Sequence, residues 1–246
     1  MTKFFRFLIM IAPVPFLLVT SCKKKKTGPV STNIVKVVDS LTTTTSNGTQ
    51  HEVDTYICDY NSDSTVNNEM IIRIIYNIAM PPVITMRHFT YGLNFIAIGD
   101  PSASSDTIFL NENKTIAKTK YSYYAYDTTN KDQLRYIESN PNYTYYFWKD
   151  GNLLSNSDAD KYEYYTDKTI RAGDGLQLNE FLQFGTTLTK NRNLIKLAYS
   201  DQMLYDNYTK SFSYEFDDND RIIKMRSIMI QPDAGHTTIH SYTFSY

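Results

Sequence analysis

The sequence predicts a mostly β protein: a single curved or barrel-like antiparallel sheet built from successive hairpins, with at most one or two short helical turns. Two observations carry this. The 246 residues include 21 Tyr and 13 Phe, and Tyr, Phe, Thr, Val and Ile are the residues that fit a pleated, half-buried surface. Runs in which such residues alternate with polar ones are separated by clusters of Asn, Asp, Gly and Pro, the pattern of strands joined by turns.

In chain order, Ile34 to Thr45 and Gln50 to Tyr60 read as strands flanking Ser46-Asn47-Gly48-Thr49, where Asn-Gly supplies the positive φ angles of a tight hairpin turn. Met70 to Ile78 is a denser apolar run, read as a central strand buried on both faces and ended by Pro81-Pro82. Phe89 to Ile98 and Thr107 to Asn111 continue the series across Gly99-Asp100-Pro101. Tyr121 to Tyr126, Tyr143 to Trp148 and Lys161 to Thr166 are tyrosine-rich strands, the second leading into the turn Lys149-Asp150-Gly151-Asn152. Leu178, Phe181 and Leu182 recur at helical spacing. Ser211 to Phe216, a turn at Asp217 to Asp220, and Arg221 to Ile230 form a further hairpin. In the last strand, alternation puts Tyr242, Phe244 and Tyr246 on one face.

A weak internal repeat of aromatic-x-aromatic, polar turn and aliphatic return joins Tyr124-Ala125-Tyr126 to Leu134, Tyr145-Tyr146-Phe147 to Leu153, and Tyr214-Glu215-Phe216 to Ile222. One hairpin cannot bury its apolar face alone, so these units must stack on neighbours.

The first 26 residues are of a different kind. Lys3 and Arg6 precede an apolar run from Phe7 to Val19 that holds Pro13 and Pro15. The run is too short for a transmembrane helix and carries helix breakers, so it reads as a cleaved signal. Val19-Thr20-Ser21-Cys22 resembles the lipobox of bacterial lipoproteins, which implies cleavage before Cys22 and acylation of that cysteine. The chain thus divides into a signal peptide (1–21), a lipidated cysteine with a polar tether (22–32) and one β domain (33–246). Lys23 to Lys26 would lie near anionic headgroups. Their lack of acidic neighbours differs from the surface-export signals of Bacteroidota lipoproteins, which implies an outer-membrane anchor facing the periplasm.

Cleavage removes Lys3 and Arg6 from the 25 basic residues and none of the 26 acids, for a net charge of −3. Without Lys23 to Lys26 the remainder stands at −7. Such a body lacks the clustered cations that nucleic-acid binding needs. Cys58 is then the one cysteine outside the anchor, so no intramolecular disulfide forms, and its apolar segment marks it as a small buried hydrophobe.

Tyr214-Glu-Phe-Asp-Asp-Asn-Asp-Arg-Ile-Ile-Lys224 resembles the hairpins of uncharacterised Bacteroidota lipoproteins and, more distantly, the YD repeats of RHS proteins, and Leu178 to Leu182 and Lys190 to Lys196 also resemble that lipoprotein family. The resemblance covers about residues 120–246 and implies a porin-like curved sheet. It assigns no catalytic residue. Asp220 stands where that family has Gly, which puts the turn type in question.

Candidate chemistry is sparse, and no cofactor or metal motif emerges. His236 and His240 have zinc-like spacing only on a helix, whereas their surroundings read as strand with both rings toward solvent. Asp217, Asp218 and Asp220, and likewise Asp158 and Asp160, offer oxygen to calcium but are ordinary turn formers. Asp39-Ser40-Leu41, Asp63-Ser64-Thr65, Asp106-Thr107-Ile108 and Asp127-Thr128-Thr129 resemble the Bacteroidota O-glycosylation triplet, which implies hydroxyls on exposed loops. Aromatic strands can stack on sugars. Tyr146 and Trp148, which share a face, are the candidate ligand contacts. The functional expectation is a membrane-anchored, non-enzymatic envelope module that binds a glycan or an envelope protein. The alternatives are a glycan-active hydrolase or lyase, and a transmembrane barrel subunit suggested by the terminal Tyr242-Thr-Phe-Ser-Tyr246.

Overall fold

The computed structural model describes residues 33–76, 78, 80–99, 106–170, 174–176, 178, 190–200 and 207–246. They form sixteen strands: β1 (Lys36–Thr45), β2 (Gly48–Tyr60), β3 (Val66–Ile75), β4 (Val83–Tyr91), β5 (Phe95–Ile98), β6 (Asp106–Leu110), β7 (Ile116–Lys118), β8 (Tyr123–Tyr126), β9 (Leu134–Ser139), β10 (Asn142–Lys149), β11 (Asn152–Asn156), β12 (Asp160–Thr169), β13 (Asn193–Ser200), β14 (Tyr208–Phe216), β15 (Ile222–Gln231) and β16 (His236–Ser245). Each pairs antiparallel with its neighbours in sequence, and β1 pairs with β16 from Lys36↔Ser245 to Thr44↔Thr237, so the sheet closes into a barrel with no free edge. Closure is the curved antiparallel sheet that the aromatic alternation predicts, carried to completion.

Two sequence readings change. Phe89 to Ile98 is two strands, because Gly92 turns the chain and its N–H donates to the Phe95 carbonyl at 2.9 Å. Met70 to Ile75 is not buried on both faces. Met70, Ile72 and Ile74 pair with outward-facing Ile57, Thr55 and Val53 and stay half-exposed on the outer wall. Apolar density alone cannot tell an inner wall from an apolar outer one. The helical spacing at Leu178, Phe181 and Leu182 lies outside the described residues beyond Leu178 itself.

Up-and-down winding sends the β2–β3, β4–β5, β6–β7, β8–β9, β10–β11, β12–β13 and β14–β15 connections to one end, where β1 begins and β16 finishes. This terminal end is built by one recurring device. Tyr60↔Val66, Leu110↔Ile116, Tyr126↔Leu134, Trp148↔Leu153 and Phe216↔Ile222 each stand just past a register shift, and all but Trp148↔Leu153, which Lys149↔Asn152 follows, are the last pair of their hairpin. The aliphatic member of every pair is buried, at most 4% exposed. Three of the turns share one backbone plan. Asn61, Asn111 and Asp217 donate their N–H to the carbonyl four residues on, and Ser64, Lys114 and Asp220 take positive φ. This is a type I turn completed by a left-handed residue. Asp220 therefore fills the usual Gly position in the left-handed conformation, at φ +59°. Asp150 (φ +51°) and Gly151 (φ +82°) form the primed turn expected between Trp148 and Leu153. In the first hairpin Thr45 pairs with Gly48, so Ser46-Asn47 are the loop and Gly48 alone has positive φ.

The inward side chains at this end pack into one cluster. Val37, Ile116, Leu194, Ile195 and Ile222 are completely buried, with Phe89, Ile96, Ile108, Phe212, Met225 and Phe244 beside them. Residues facing a water-filled lumen would be wetted, so side chains from opposing walls meet here. Each fully buried aliphatic contributes about 1.5–3 kcal/mol. The β12–β13 connection adds to the seal. Leu178 joins the cluster, and Gly175 lies so close that an added Cβ would sit 2.5 Å from the Phe212 ring. Buried Asp174 holds it in place by accepting from the N–H groups of Leu176 (2.9 Å) and Ile195 (3.3 Å). Tyrosine hydroxyls tie down carbonyls around the seal: Tyr60 to Ile34 at 2.6 Å, Tyr165 to Phe212 at 3.0 Å and Tyr246 to Ile222 at 2.9 Å.

Candidate functional site

Away from the seal the inner wall turns polar. Asp39 and Tyr242 face each other across the β1–β16 seam, Asp54 lies opposite Asp39 on β2, and Arg73 lies opposite Asp54 on β3. The Arg73 guanidinium donates to both Asp54 oxygens, at 2.9 and 2.7 Å, and reaches Glu52 at 2.8 Å. His240 Nδ1 lies 3.1 Å from both Asp39 oxygens, and its ring stacks on Tyr242 with centroids 5.5 Å apart. Lys210, inward on β14, faces the same group. Burial pulls its ammonium below the ordinary lysine value, and the Asp39 charge opposes that shift. Burial raises the Tyr56 and Tyr242 hydroxyls, with the nearby carboxylates adding to it. Arg73 keeps half its side chain exposed although it points inward, and Val83 beside it is also exposed. The described inner wall is therefore solvent-exposed at Arg73 and Val83 and closed at the seal.

Between the two zones lies Glu69, 1% exposed, opposite Cys58 on β2 and Arg87 on β4. Arg87 Nη1 donates to Oε2 at 3.1 Å, whereas Oε1 is buried with no hydrogen-bond partner. Burial pushes this carboxyl up to about 7 against the pull of Arg87. Burial, then the Glu69 charge, pushes the Cys58 thiol up to about 12. Cys58 is thus the buried hydrophobe its segment suggests, and not a nucleophile.

Tyr146 and Trp148 share the half-buried face of β10, and the Trp148 indole N–H donates to the Leu134 carbonyl at 2.7 Å. The alternate face leaves Tyr143, Tyr145 and Phe147 about half exposed. Tyr143 and Tyr145 group with Tyr136 of β9, with ring centroids 5.9 to 6.3 Å apart. A cavity of about 580 Å³ opens at β8 and the β6–β7 and β8–β9 connections, lined by Asn111, Glu112, Tyr124, Tyr126, Asp127 and Lys131 among others. A second, of about 400 Å³, is bordered by Arg87, Asp106, Lys120 and Tyr121. Tyr124 lines both.

The other candidates resolve into structure. His236 and His240 lie on β16, four residues apart and so about 13 Å distant along an extended chain. They cannot share a metal. His240 also points to Asp39 rather than to solvent, because the seam places it on the inner wall. Among the described residues no group of three His, Cys, Asp or Glu is placed to hold a metal ion. Asp217 Oδ1 accepts from the N–H groups of Asn219 and Arg221 and Oδ2 from Arg221 Nε, so its oxygens organise the turn. Asp160 accepts from Asn156 and Tyr208 in the same manner. Of the four Asp-Ser/Thr triplets, Ser64 and Thr128 lie in exposed turns, whereas Ser40 and Thr107 lie within β1 and β6.

The residues missed from sequence are Asp39, Asp54, Arg73, Lys210 and Glu69. They are spread over four strands, β1, β2, β3 and β14, and only barrel closure brings β14 and β16 to β1. The one available signal was charge at strand positions that alternation assigns to a core face.

These features define a class: a closed, sixteen-stranded, up-and-down barrel with one end sealed by its own side chains. No family model matches the chain, and no curated protein matches it. Among solved structures, it is similar to the crystal structure of a porin-like protein from Bacteroides uniformis, with a TM-score of 0.62 and 13% identity over 88% of this chain and 98% of that one. At that identity the likeness is one of fold.

Proposed function

We propose that this protein is an envelope lipoprotein whose barrel is a non-enzymatic binding or structural module, held by Cys22 to the outer membrane on its periplasmic side. The observation that supports it most is the sealed end: a barrel closed at one end by its own apolar side chains does not conduct, and in this reading it binds at its rim or surface. Strand length supports the same reading. β5 to β9 and β11 have only three to six residues, where a membrane-spanning strand takes about 9–11. The porin-like neighbour fits an envelope setting.

The ligand in this reading is a glycan or an envelope protein, met at β10. Tyr146 and Trp148 are contacts from its half-buried face, and Tyr143 and Tyr145 from its exposed one, where flat rings with hydroxyl tips suit polar ligands. The test is a glycan and envelope-protein binding screen run beside a turnover assay on the same polysaccharides. Binding lost in Tyr146→Ala with Trp148→Ala, or in Tyr143→Ala with Tyr145→Ala, assigns the face. Cleavage abolished by one Asp or Glu substitution would refute the non-enzymatic reading. Palmitate labelling of the wild type but not of Cys22→Ala is the expected result for the anchor, and equal labelling would refute it.

A further inference from the structure

We propose that the outer wall of β2 to β4, with the tip of the β3–β4 hairpin, rests on an anionic lipid surface. This rests on the anchored reading for proximity, while its own support is the wall itself. Lys36, Ile57, Met70 and Met86 form one outward cross-strand row, and Val38, Thr55, Ile72 and Ile84 form the next. Ile84 and Met86 are 62% and 63% exposed. The hairpin beyond them, where polar residues are the rule, exposes Tyr76, Ile78 and Met80. One apolar surface thus runs from the terminal end of the barrel to this tip. Isolated exposed apolar residues need no explanation, but a contiguous patch marks an interaction site.

Charge favours lipid as the occupant. Across six adjacent strands, β15, β16 and β1 to β4, one acidic side chain points outward, Asp59, against Lys36 and Arg226 and against Lys224, which pairs with Glu215 of β14 at 2.9 Å. The same chain carries 26 acids in all. An acidic protein with one wall almost free of acids is complementary to an anionic surface on that wall. Chain length agrees. Ten residues lie between Cys22 and Asn33, a reach of at most about 40 Å, and β1 starts in the Lys36–Ile57–Met70–Met86 row. Lys23 to Lys26 lie on that stretch. The contact is one-sided. The outer positions of β12 to β14 set Leu197 and Tyr199 among Lys161, Glu163, Thr209, Ser211, Ser213 and Glu215, a mixed wall that does not continue the apolar one as the belt a spanning barrel needs.

The test uses the full chain in a Trp148→Phe background, with a reporter at Met86→Trp or at Ser213→Trp on the opposite wall. Both are bound to phosphatidylcholine–phosphatidylglycerol vesicles with and without brominated acyl chains. Docking predicts bromine quenching of the residue-86 indole and none at residue 213. Quenching at both positions would signify insertion and overturn the proposal. Quenching at neither, with or without a dimer by light scattering, would overturn it as well. In the Cys22→Ala chain, Ile84→Glu with Met86→Glu should lower vesicle partitioning about tenfold, with circular dichroism confirming the fold. Absence of palmitate labelling with quenching at residue 86 would refute the anchor and leave docking standing. Labelling without that quenching would do the reverse.

Discussion

Replacing Glu69 by Gln should stabilise the protein in a way that depends on pH. Glu69 is 1% exposed, has one oxygen paired with Arg87 and leaves the other buried without a partner. Its carboxyl stands at about 7 in the fold against an ordinary 4.5. A carboxyl raised on folding binds its proton more tightly in the native state. Its contribution is therefore fully present below about pH 4.5 and is lost as pH rises through about 7. A shift of that size corresponds to about 3 kcal/mol. Gln imitates the protonated form and does not titrate. The stability difference between Glu69→Gln and wild type should thus move by about 3 kcal/mol in favour of Gln between pH 4 and pH 8.5. Urea denaturation of both proteins across that range measures it, and using the difference cancels the other carboxylates. A difference independent of pH, or one that grows in favour of wild type as pH rises, would refute the argument.

Gly151→Val should cost about 1–2 kcal/mol from the left-handed penalty. The added Cβ also meets Arg192 Cβ at 3.3 Å, so an unchanged urea midpoint would mean the turn is misdescribed. Asp220→Gly should stabilise by about 0.5–1 kcal/mol by relieving the φ of +59°, and a loss would show that the carboxylate matters more than the backbone. Cys58, its thiol pushed up to about 12 and its side chain buried, should resist a disulfide reagent at pH 8 in the folded Cys22→Ala chain and react at once in urea. Reaction at the same rate in both states would contradict its burial.

The fold was legible because its signals are local. Alternation in Tyr242-Thr243-Phe244 places two rings on the inner wall, and both are buried. Trp148 to Leu153 and Phe216 to Ile222 close hairpins at the turns their Asp and Gly residues announce. Closure was not legible, because the Asp39↔Tyr242 pairing joins residues about two hundred positions apart and no local pattern encodes it. The polar inner wall depends on that closure, so His240 looked solvated and Asp39 looked like part of a modification triplet. The split of Phe89 to Ile98 was hidden because Gly92-Leu93-Asn94 holds a single large apolar residue, Leu93, in an exposed turn. On β10 the alternation was correct, and only the structure shows which face stays open.

The central claim is a folded barrel outside the bilayer, tied to it by its N-terminal cysteine. A site-specific protease sequence inserted after Lys26 tests this directly in isolated envelopes. Cleavage in the Ile84→Glu, Met86→Glu background, which removes the docking of the β2–β4 wall, followed by washing in high salt, should release a folded, strand-rich barrel into the supernatant and leave the acylated stub in the membrane. A barrel that stays with the membrane through repeated washing after complete cleavage would contradict the claim.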